Sequence, residues 1–311
     1  MDLDIIIPTY NARETINRTL ASIAIQKDIE NVKVYLINDA SDYDYEDFIN
    51  YYSKYFSIKE IKLDNNSGPG VARRIGLEKS NSKYIVFIDS DDYFYSPLSL
   101  SNLYNEAIKT NSDMLVSNFL YERDNEKCIK TYNTVWLHGK IYKREFLEKN
   151  NITFNDTRAN EDNGFNRLIF LSNPIVFYYP EVTYVYYENL ESITRKNNRA
   201  YRLDGLEGYT YNLNWAMKEA LKRKLNVKQI ALTALETLVY MHHYYMEQIS
   251  PKVLKWSKET YDIYNSLKEN LTTDEIKDLV ENIKSDAARN TEISFDEFME
   301  MVGNYNDWYY Y

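Results

Sequence analysis

The chain is 311 residues long and 44% hydrophobic, which suffices for one large domain, or a large domain with a smaller appendage, and for a sizeable core. Its formal net charge of −10, from 37 basic and 47 acidic residues, argues against broad electrostatic binding to nucleic acid or to an anionic membrane. The single cysteine, Cys128, excludes an internal disulfide and suits a reducing compartment. Met1-Asp2-Leu3-Asp4 has no basic region ahead of an apolar core, so no signal peptide is expected, and no stretch approaches ~18 consecutive apolar residues.

Residues 3–7 form a short apolar run, broken by Asp4, that ends at Pro8-Thr9-Tyr10-Asn11 and predicts a strand followed by a loop. Residues 12–26 carry Ile16, Leu20, Ile23 and Ala24 at helical spacing, an amphipathic helix that returns over a sheet. Residues 32–37 are the second strand, with Asn38-Asp39-Ala40-Ser41-Asp42 as its polar end. Residues 44–56 read as helix and residues 58–63 as a third strand. The turn cluster Asn65-Asn66-Ser67-Gly68-Pro69-Gly70 opens a helix over residues 67–79 that buries Val71, Ile75 and Leu77. Tyr84-Ile85-Val86-Phe87-Ile88 then reads as a strand buried on both faces, ending in Asp89-Ser90-Asp91-Asp92.

This alternation predicts a parallel βα series built on right-handed crossovers. Open folds of that kind bind ligands at the carboxyl ends of their strands. Three carboxylates in four residues repel one another unless something positive sits among them. A hard divalent cation is the simplest answer.

Residues 99–110 predict a helix, residues 114–121 a strand and residues 128–136 its hairpin neighbour. Residues 140–150 read as another short helix. Asn160-Glu161-Asp162-Asn163 opens a helix that runs to Leu171, with Phe165, Leu168, Ile169 and Leu171 on one face and acids at its positive end. Residues 175–179 and 182–187 read as two aromatic strands. From residue 198 the chain reads as helical, with Leu232, Leu235, Leu238 and Val239 on one face. Thr272 with Glu275, and Ser294 with Glu297, are capping boxes. The chain thus divides into 1–197 and 198–311. Trp308-Tyr309-Tyr310-Tyr311 is too short and too poor in basic neighbours for a membrane anchor, and reads as packed on a neighbour. His242 and His243 are adjacent on a helix, share no face and make no metal site.

Four segments follow in fixed order, each at a strand end or helix start: Ile7-Pro8-Thr9-Tyr10-Asn11, Asn38-Asp39-Ala40-Ser41, Asp89-Ser90-Asp91-Asp92 and Glu161-Asp162. Over residues 3–197 this order resembles the family 2 glycosyltransferases. So do Ser22-Ile23 with Gln26, the run from Asn66 through Gly68-Pro69-Gly70 to Arg73 with Gly76, and residues 136–146. The resemblance implies an α/β, GT-A (Rossmann-like) fold, a mostly parallel sheet flanked by helices. Residues 198–311, outside the match, add an all-helical C-terminal extension.

The resemblance also implies an inverting, metal-dependent glycosyltransferase. It would move a hexose or N-acetylhexosamine from a UDP-sugar to a hydroxyl of a glycan, cell-envelope polymer or lipid-linked sugar. Pro8, Thr9 and Tyr10 would then lie around the base and ribose, and Asp39 would accept the imide N–H of uracil. Asp89 would lie near the ribose, and Asp91 would bind Mn2+ or Mg2+. Arg73 would meet the diphosphate or hold the acidic cluster, and Arg195 with Lys196 would close over the diphosphate. Asp162 is implied as the catalytic base, with Glu161 as the variant. Asp92 stands between a partner of the cluster and a helix cap.

Arg74, where the family often has Asn, and Ala40, in place of the more usual Gly, are departures. His138 reads as a satisfied structural histidine rather than a contact to phosphate or acceptor. Two other readings stay open: a transferase acting on modified DNA bases or protein, and an inactive binding or scaffold protein on the same fold. The extension could hold the acceptor, form a homo-oligomer or lie on a membrane surface. The expected location is the cytoplasm, or the periphery of the membrane's inner face.

Overall fold

The structure, a computed structural model, describes residues 1–123, 126–188, 200–245 and 251–283. Arg195, Lys196, the Ser294/Glu297 box and residues 308–311 lie outside the described residues, as do the side chains of Val239, His242 and His243. The chain divides into two compact units, Met1–Lys196 and Asn197–Tyr311.

In the first unit, strands β1 (Leu3–Thr9), β2 (Lys33–Asn38) and β3 (Ser57–Lys62) alternate with helices α1 (Ile16–Ala24), α2 (Glu46–Tyr52) and α3 (Pro69–Lys79), and β4 (Tyr84–Phe87) ends the series. β1 pairs in parallel with β2 and β4, and β2 with β3. Ile5, Ile6 and Ile7, and Ile85 to Phe87 alongside them, are buried on both faces, as unbroken apolar runs in a parallel sheet should be. The lone acid in that core, Asp4, is satisfied: it accepts from the Asn81 and Ser82 amides at 2.6 and 2.8 Å and from the Ser82 hydroxyl at 2.7 Å. α1 covers the sheet with one stripe, Ile16, Leu20 and Ile23, all buried.

The chain continues through β5 (Tyr93–Phe94), α4 (Ser99–Thr110), β6 (Met114–Arg123), β7 (Glu126–Lys130), β8 (Lys140–Lys143), α5 (Arg144–Lys149), α6 (Glu161–Leu171) and β9 (Val176–Tyr187). The sheet order is β3-β2-β1-β4-β8-β6-β9-β5, with β7 paired to β6. β8 enters antiparallel between β4 and β6, while β6 and β9 run parallel.

Several elements differ from the sequence reading. Residues 140–150 are not one helix: Lys140–Lys143 is a strand and only Arg144–Lys149 is helical. Four residues are too few to show a period, and pairing on both edges of β8 decides the conformation. The two-residue β5 carries no pattern at all. Residues 175–179 and 182–187 are one strand whose register shifts at Asn118, where the Asn118 amide donates to the Pro180 carbonyl at 2.6 Å. The hairpin partner of β6 is Glu126–Lys130, earlier and shorter than residues 128–136. α2 occupies the middle of residues 44–56.

The second unit contains α7 (Ala200–Lys222), α8 (Val227–Tyr245), α9 (Pro251–Leu267) and α10 (Thr273–Ile283). Leu213, Met217, Ile230, Leu235, Leu238 and Tyr264 are buried where α7, α8 and α9 pack together. α10 starts on a reciprocal cap: the Thr272 amide donates to Glu275 at 3.0 Å and the Glu275 amide to the Thr272 hydroxyl at 3.3 Å. Among the described residues no helix is long and apolar enough to cross a membrane.

Candidate active site

The carboxyl ends of β1, β2 and β4 lie side by side. Thr9 stands opposite Asn38, and Ile6 opposite Phe87, so Pro8-Thr9-Tyr10, Asp39 and Asp89 emerge on one edge. Thr9 is buried and donates through its hydroxyl to the Ile37 carbonyl at 3.1 Å, while Tyr10 is 45% exposed. The Asp39 amide donates to the Thr9 carbonyl at 2.8 Å. The Asp39 carboxylate accepts the Ser67 amide on one oxygen at 2.7 Å and the Gly68 amide on the other at 2.8 Å. Each oxygen takes about two donors, so one acceptor position remains on each. Gly68, at φ +93°, supplies the backbone turn that presents both amides.

Arg73, buried on α3, ties Asp89 at the end of β4 to the acid pair at the start of α6. Its guanidinium donates to Asp89 at 2.5 Å and also to Glu161. Burial alone would weaken the Arg73 charge, but Asp89 and Glu161 more than offset this and hold it firmly protonated. Burial likewise pushes Asp89 up, and Arg73 and His138 reverse the effect and keep it below the usual carboxylate range.

Asp92 is the opposite case. It is fully buried, and burial with the neighbouring Asp91 and Asp89 charges drives its carboxyl well up. It caps no helix: the Tyr184 hydroxyl donates to it at 2.5 Å and the Tyr187 amide at 2.9 Å, which fastens the acidic turn to β9. α1 grips the same turn from the other side, with Arg18 donating to the Asp91 carbonyl and Thr19 to the Asp92 carbonyl at 2.7 Å. Asp91 itself is part-buried at the tip.

Asp89, Asp92 and His138 each offer an atom within 4.8 Å of the others, a group that could hold a cation. Such a carboxylate-rich set with one imidazole fits a hard ion such as Mn2+.

At the other end of the cluster, Glu161 and Asp162 open α6, where the helix dipole favours negative charge. Burial, then the Glu161 charge, pushes the Asp162 carboxyl up to about 7, against the opposing pull of Arg73 and the Asn163 amide. Loop 155–160 brings this pair close to the glycine turn. A Cβ on Gly70 would lie 2.8 Å from the Asn155 carbonyl oxygen and 3.0 Å from both the Thr157 carbonyl oxygen and Glu161 Cγ. Arg158 crosses the turn and donates to the Asn66 side chain at 2.9 Å and its carbonyl at 2.7 Å. Arg74 points outward to an ion pair with Asp156.

The model of Glycosyl transferase family 2 matches residues 4–160, about half of the chain, and takes in Asp39, Asp89, Asp91 and Asp92 but not Glu161 and Asp162. The chain belongs to glycosyl transferase family 2. Among its relatives is the poly(ribitol-phosphate) beta-N-acetylglucosaminyltransferase TarP of Staphylococcus aureus, 26% identical over 190 residues, covering 55% of this chain and 58% of TarP. The chain spans between 20% and 58% of the length of the curated relatives it matches first.

The crystal structure of S. aureus TarS 1-349 in complex with UDP-GlcNAc superposes with a TM-score of 0.73 at 18% identity, covering 99% of this chain and 92% of that one. A mannosyltransferase from Pyrobaculum calidifontis, in complex with GDP-Man and Mn2+, reaches a TM-score of 0.57 at 14% identity, covering 99% and 87%. The fold of this family member is therefore the α/β GT-A arrangement of TarS, a curled sheet flanked by helices, followed by helices at the C-terminal end.

In this family member the structure brings together Asp89, Arg73, Glu161 and Asp162, and places Pro8, Thr9, Tyr10 and Asp39 on the same sheet edge. Asp91 lies on the same turn but outside the Asp89–Asp92–His138 group. The sequence reading took His138 for a satisfied structural histidine and did not single out Lys140, and both are buried polar groups close to the acids. His138 is stacked between Tyr184 and Tyr186, its Nε2 is 3.9 Å from Asp89 and 3.7 Å from Asp92, and its Nδ1 has no hydrogen-bond partner. Lys140 is fully buried on β8, and burial, opposed by Asp162, lowers its ammonium to about 7. A histidine before a glycine and a lysine at a strand start carry no distinguishing pattern; only the sheet order makes them neighbours of the acids.

Proposed function

We propose that the chain is an inverting transferase that moves a hexose or N-acetylhexosamine from a UDP-sugar to a hydroxyl of a glycan or cell-envelope polymer. The observation that carries this reading is the Arg73 bridge, which ties the donor-side acid Asp89 to the acid pair Glu161-Asp162 across the sheet edge. TarP, named for N-acetylglucosaminyl transfer to poly(ribitol-phosphate), and TarS, solved with UDP-GlcNAc, support the donor and acceptor classes. In this reading residues 1–197 are the transferase domain. The helical residues 198–311 serve the acceptor or self-association, and the protein works in the cytoplasm or at the inner membrane face.

The uracil imide N–H donates to Asp39, whose carboxylate keeps acceptor capacity beside the glycine turn. Pro8, Thr9 and Tyr10 line the base and ribose, and Asp89, held ionised by Arg73, accepts from ribose hydroxyls. A divalent cation, Mn2+ or Mg2+, would supply positive charge for the leaving diphosphate. Asp91, part-buried at the tip of the acidic turn, would hold such an ion, and the Asp89–Asp92–His138 group offers a second place for it.

Asp162 takes the proton from the acceptor hydroxyl as that oxygen bonds to the anomeric carbon. The bond from that carbon to the diphosphate oxygen breaks on the opposite face, and the anomeric configuration inverts. A carboxyl with a midpoint near neutrality is well matched to this role. Glu161, engaged by Arg73, orients the pair.

Asp162→Asn is expected to retain UDP-sugar binding and to lose transfer by about 100-fold or more. An equal loss of donor affinity would move Asp162 to the donor side and overturn its assignment as base.

A further inference from the structure

Trp136 is unusual for an exposed aromatic residue. More than a third of its surface, 37%, faces solvent, yet its main chain is fixed on both sides. The Asn133 side chain accepts its amide at 2.8 Å, while its carbonyl accepts from Asn166 at 3.2 Å and from the buried Lys140 ammonium. Asn166 also holds the Val135 carbonyl at 2.7 Å.

A fully buried lysine is costly, and Lys140 forms no ion pair with a carboxylate among the described residues. Its hydrogen bond goes to the Trp136 carbonyl. Asn166 lies one turn beyond Asp162 on the same face of α6, so these bonds set the Trp136 backbone beside the face that carries the base.

The indole belongs to a row of rings. Trp136 stacks on Tyr186 at 26° with centroids 6.1 Å apart, and Tyr186 stacks on Tyr121 at 27° and 5.4 Å. Tyr121 and Tyr186 are register partners on β6 and β9 and share one sheet face. Inward, His138 continues the row to Tyr184, whose hydroxyl holds Asp92. The row therefore starts at the acidic turn and reaches the exposed Trp136 and the half-buried Tyr121, and the Lys130 ammonium lies 5.9 Å above Tyr121 at its outer end.

Flat rings in such a row suit the C–H face of a sugar or polyol, whose hydroxyls stay free at the edge for polar partners. A duplex nucleic acid would need a broad basic surface, which a net charge of −10 does not favour.

We propose that Trp136, Tyr186 and Tyr121 form the acceptor platform, on which a carbohydrate or polyol unit stacks with one hydroxyl directed to Asp162. This rests on the transferase reading. Trp136 is the specificity-determining contact, and Lys140 and Asn166 are positioning residues that act through it.

The test titrates poly(ribitol phosphate) and, separately, a β-linked glucose oligosaccharide into the UDP-bound full chain, following tryptophan fluorescence in wild type, Trp136→Phe and Trp136→Ala. UDP binding is measured first by calorimetry. The platform predicts a saturable fluorescence change with at least one of the two probes in wild type, absent in Trp136→Phe because the reporting indole is gone. By calorimetry, Trp136→Phe should bind that probe nearly as wild type, and Trp136→Ala about tenfold more weakly, with UDP affinity kept in both.

UDP binding with no response to either probe, or Trp136→Ala binding the probe as wild type, overturns the platform and leaves the transferase reading standing. Saturable quenching by duplex DNA in place of both probes overturns the carbohydrate assignment. Failure of the wild-type chain to bind UDP overturns the transferase reading and the platform with it.

Discussion

Asp162 sits under two opposing demands. As the proposed base it must be ionised, yet burial and the Glu161 charge raise its carboxyl from 3.8 to about 7, while Arg73 pulls the other way and Asp89 and Lys140 flank the group. Transfer should therefore fall as pH drops through about 7, which a pH–rate profile of kcat would show. The sign for stability is the reverse. Between the ordinary carboxyl value and about 7, the folded state keeps a proton that the unfolded chain has lost, so stability declines as pH rises through that window. Asp162→Asn should consequently melt higher than wild type at pH 8 while transferring poorly; a lower melting temperature at pH 8 would contradict the raised carboxyl. Arg73 makes a different prediction. Arg73→Met leaves Asp89 and Glu161 facing a buried site without their cation and should cost about 3–5 kcal/mol in urea unfolding, with Arg73→Lys recovering only part because a single ammonium nitrogen cannot stand in for the two guanidinium nitrogens that reach the two carboxylates. A loss below about 1 kcal/mol would mean that the bridge is not holding the cluster. The acids were legible in the sequence because each ends a strand or opens a helix, and an acid at such a place stands out from an apolar run. Tyr184, His138 and Lys140 were not, since their polar atoms meet the acids only across strands far apart in sequence.

At the scale of elements, the parallel half of the sheet was readable because β1, β2 and β4 carry apolar runs that end in polar segments and alternate with stretches of helical spacing. The far half was less so: β5 has two residues and β8 four, and both are defined by their partners, β9 for one and β4 and β6 for the other. β8 matters most for the site, because it carries Lys140 and seats the chain that follows His138 between β4, which leads into the acidic turn, and β6. The helix starts act as spacers. α3 begins against loop 155–160, and that contact closes the distance between the glycine turn and α6. Gly70→Ala should push Asn155 and Thr157 away from the turn and lower transfer by about tenfold or more, through geometry rather than chemistry. The check is a kinetic assay paired with a melt: a variant that keeps wild-type kcat would show that the loop yields without moving the acid pair.

At the scale of the molecule, a family 2 transferase fold is joined to a helical unit that the family match does not include. The division was visible in the sequence as a change from mixed to purely helical periodicity near residue 198, and the second unit's acceptor, dimer or membrane role leaves no residue motif to read. Net charge of −10 and a carboxylate-rich sheet edge make a nucleotide-sugar an awkward partner unless Arg73 and a metal ion compensate it, so donor binding is the claim on which the whole account turns. The most direct test is a thermal-shift titration of the full chain with UDP-GlcNAc, with Mn2+ and with chelator, alongside Asp91→Asn and Asp39→Ala. The account predicts a donor-dependent rise in melting temperature, equivalent to about 2.7 kcal/mol at ~100 times the dissociation constant, that is larger with Mn2+, loses its metal dependence in Asp91→Asn and shrinks in Asp39→Ala. A folded wild-type protein whose melting temperature is unmoved by UDP-GlcNAc, with or without Mn2+, would contradict it.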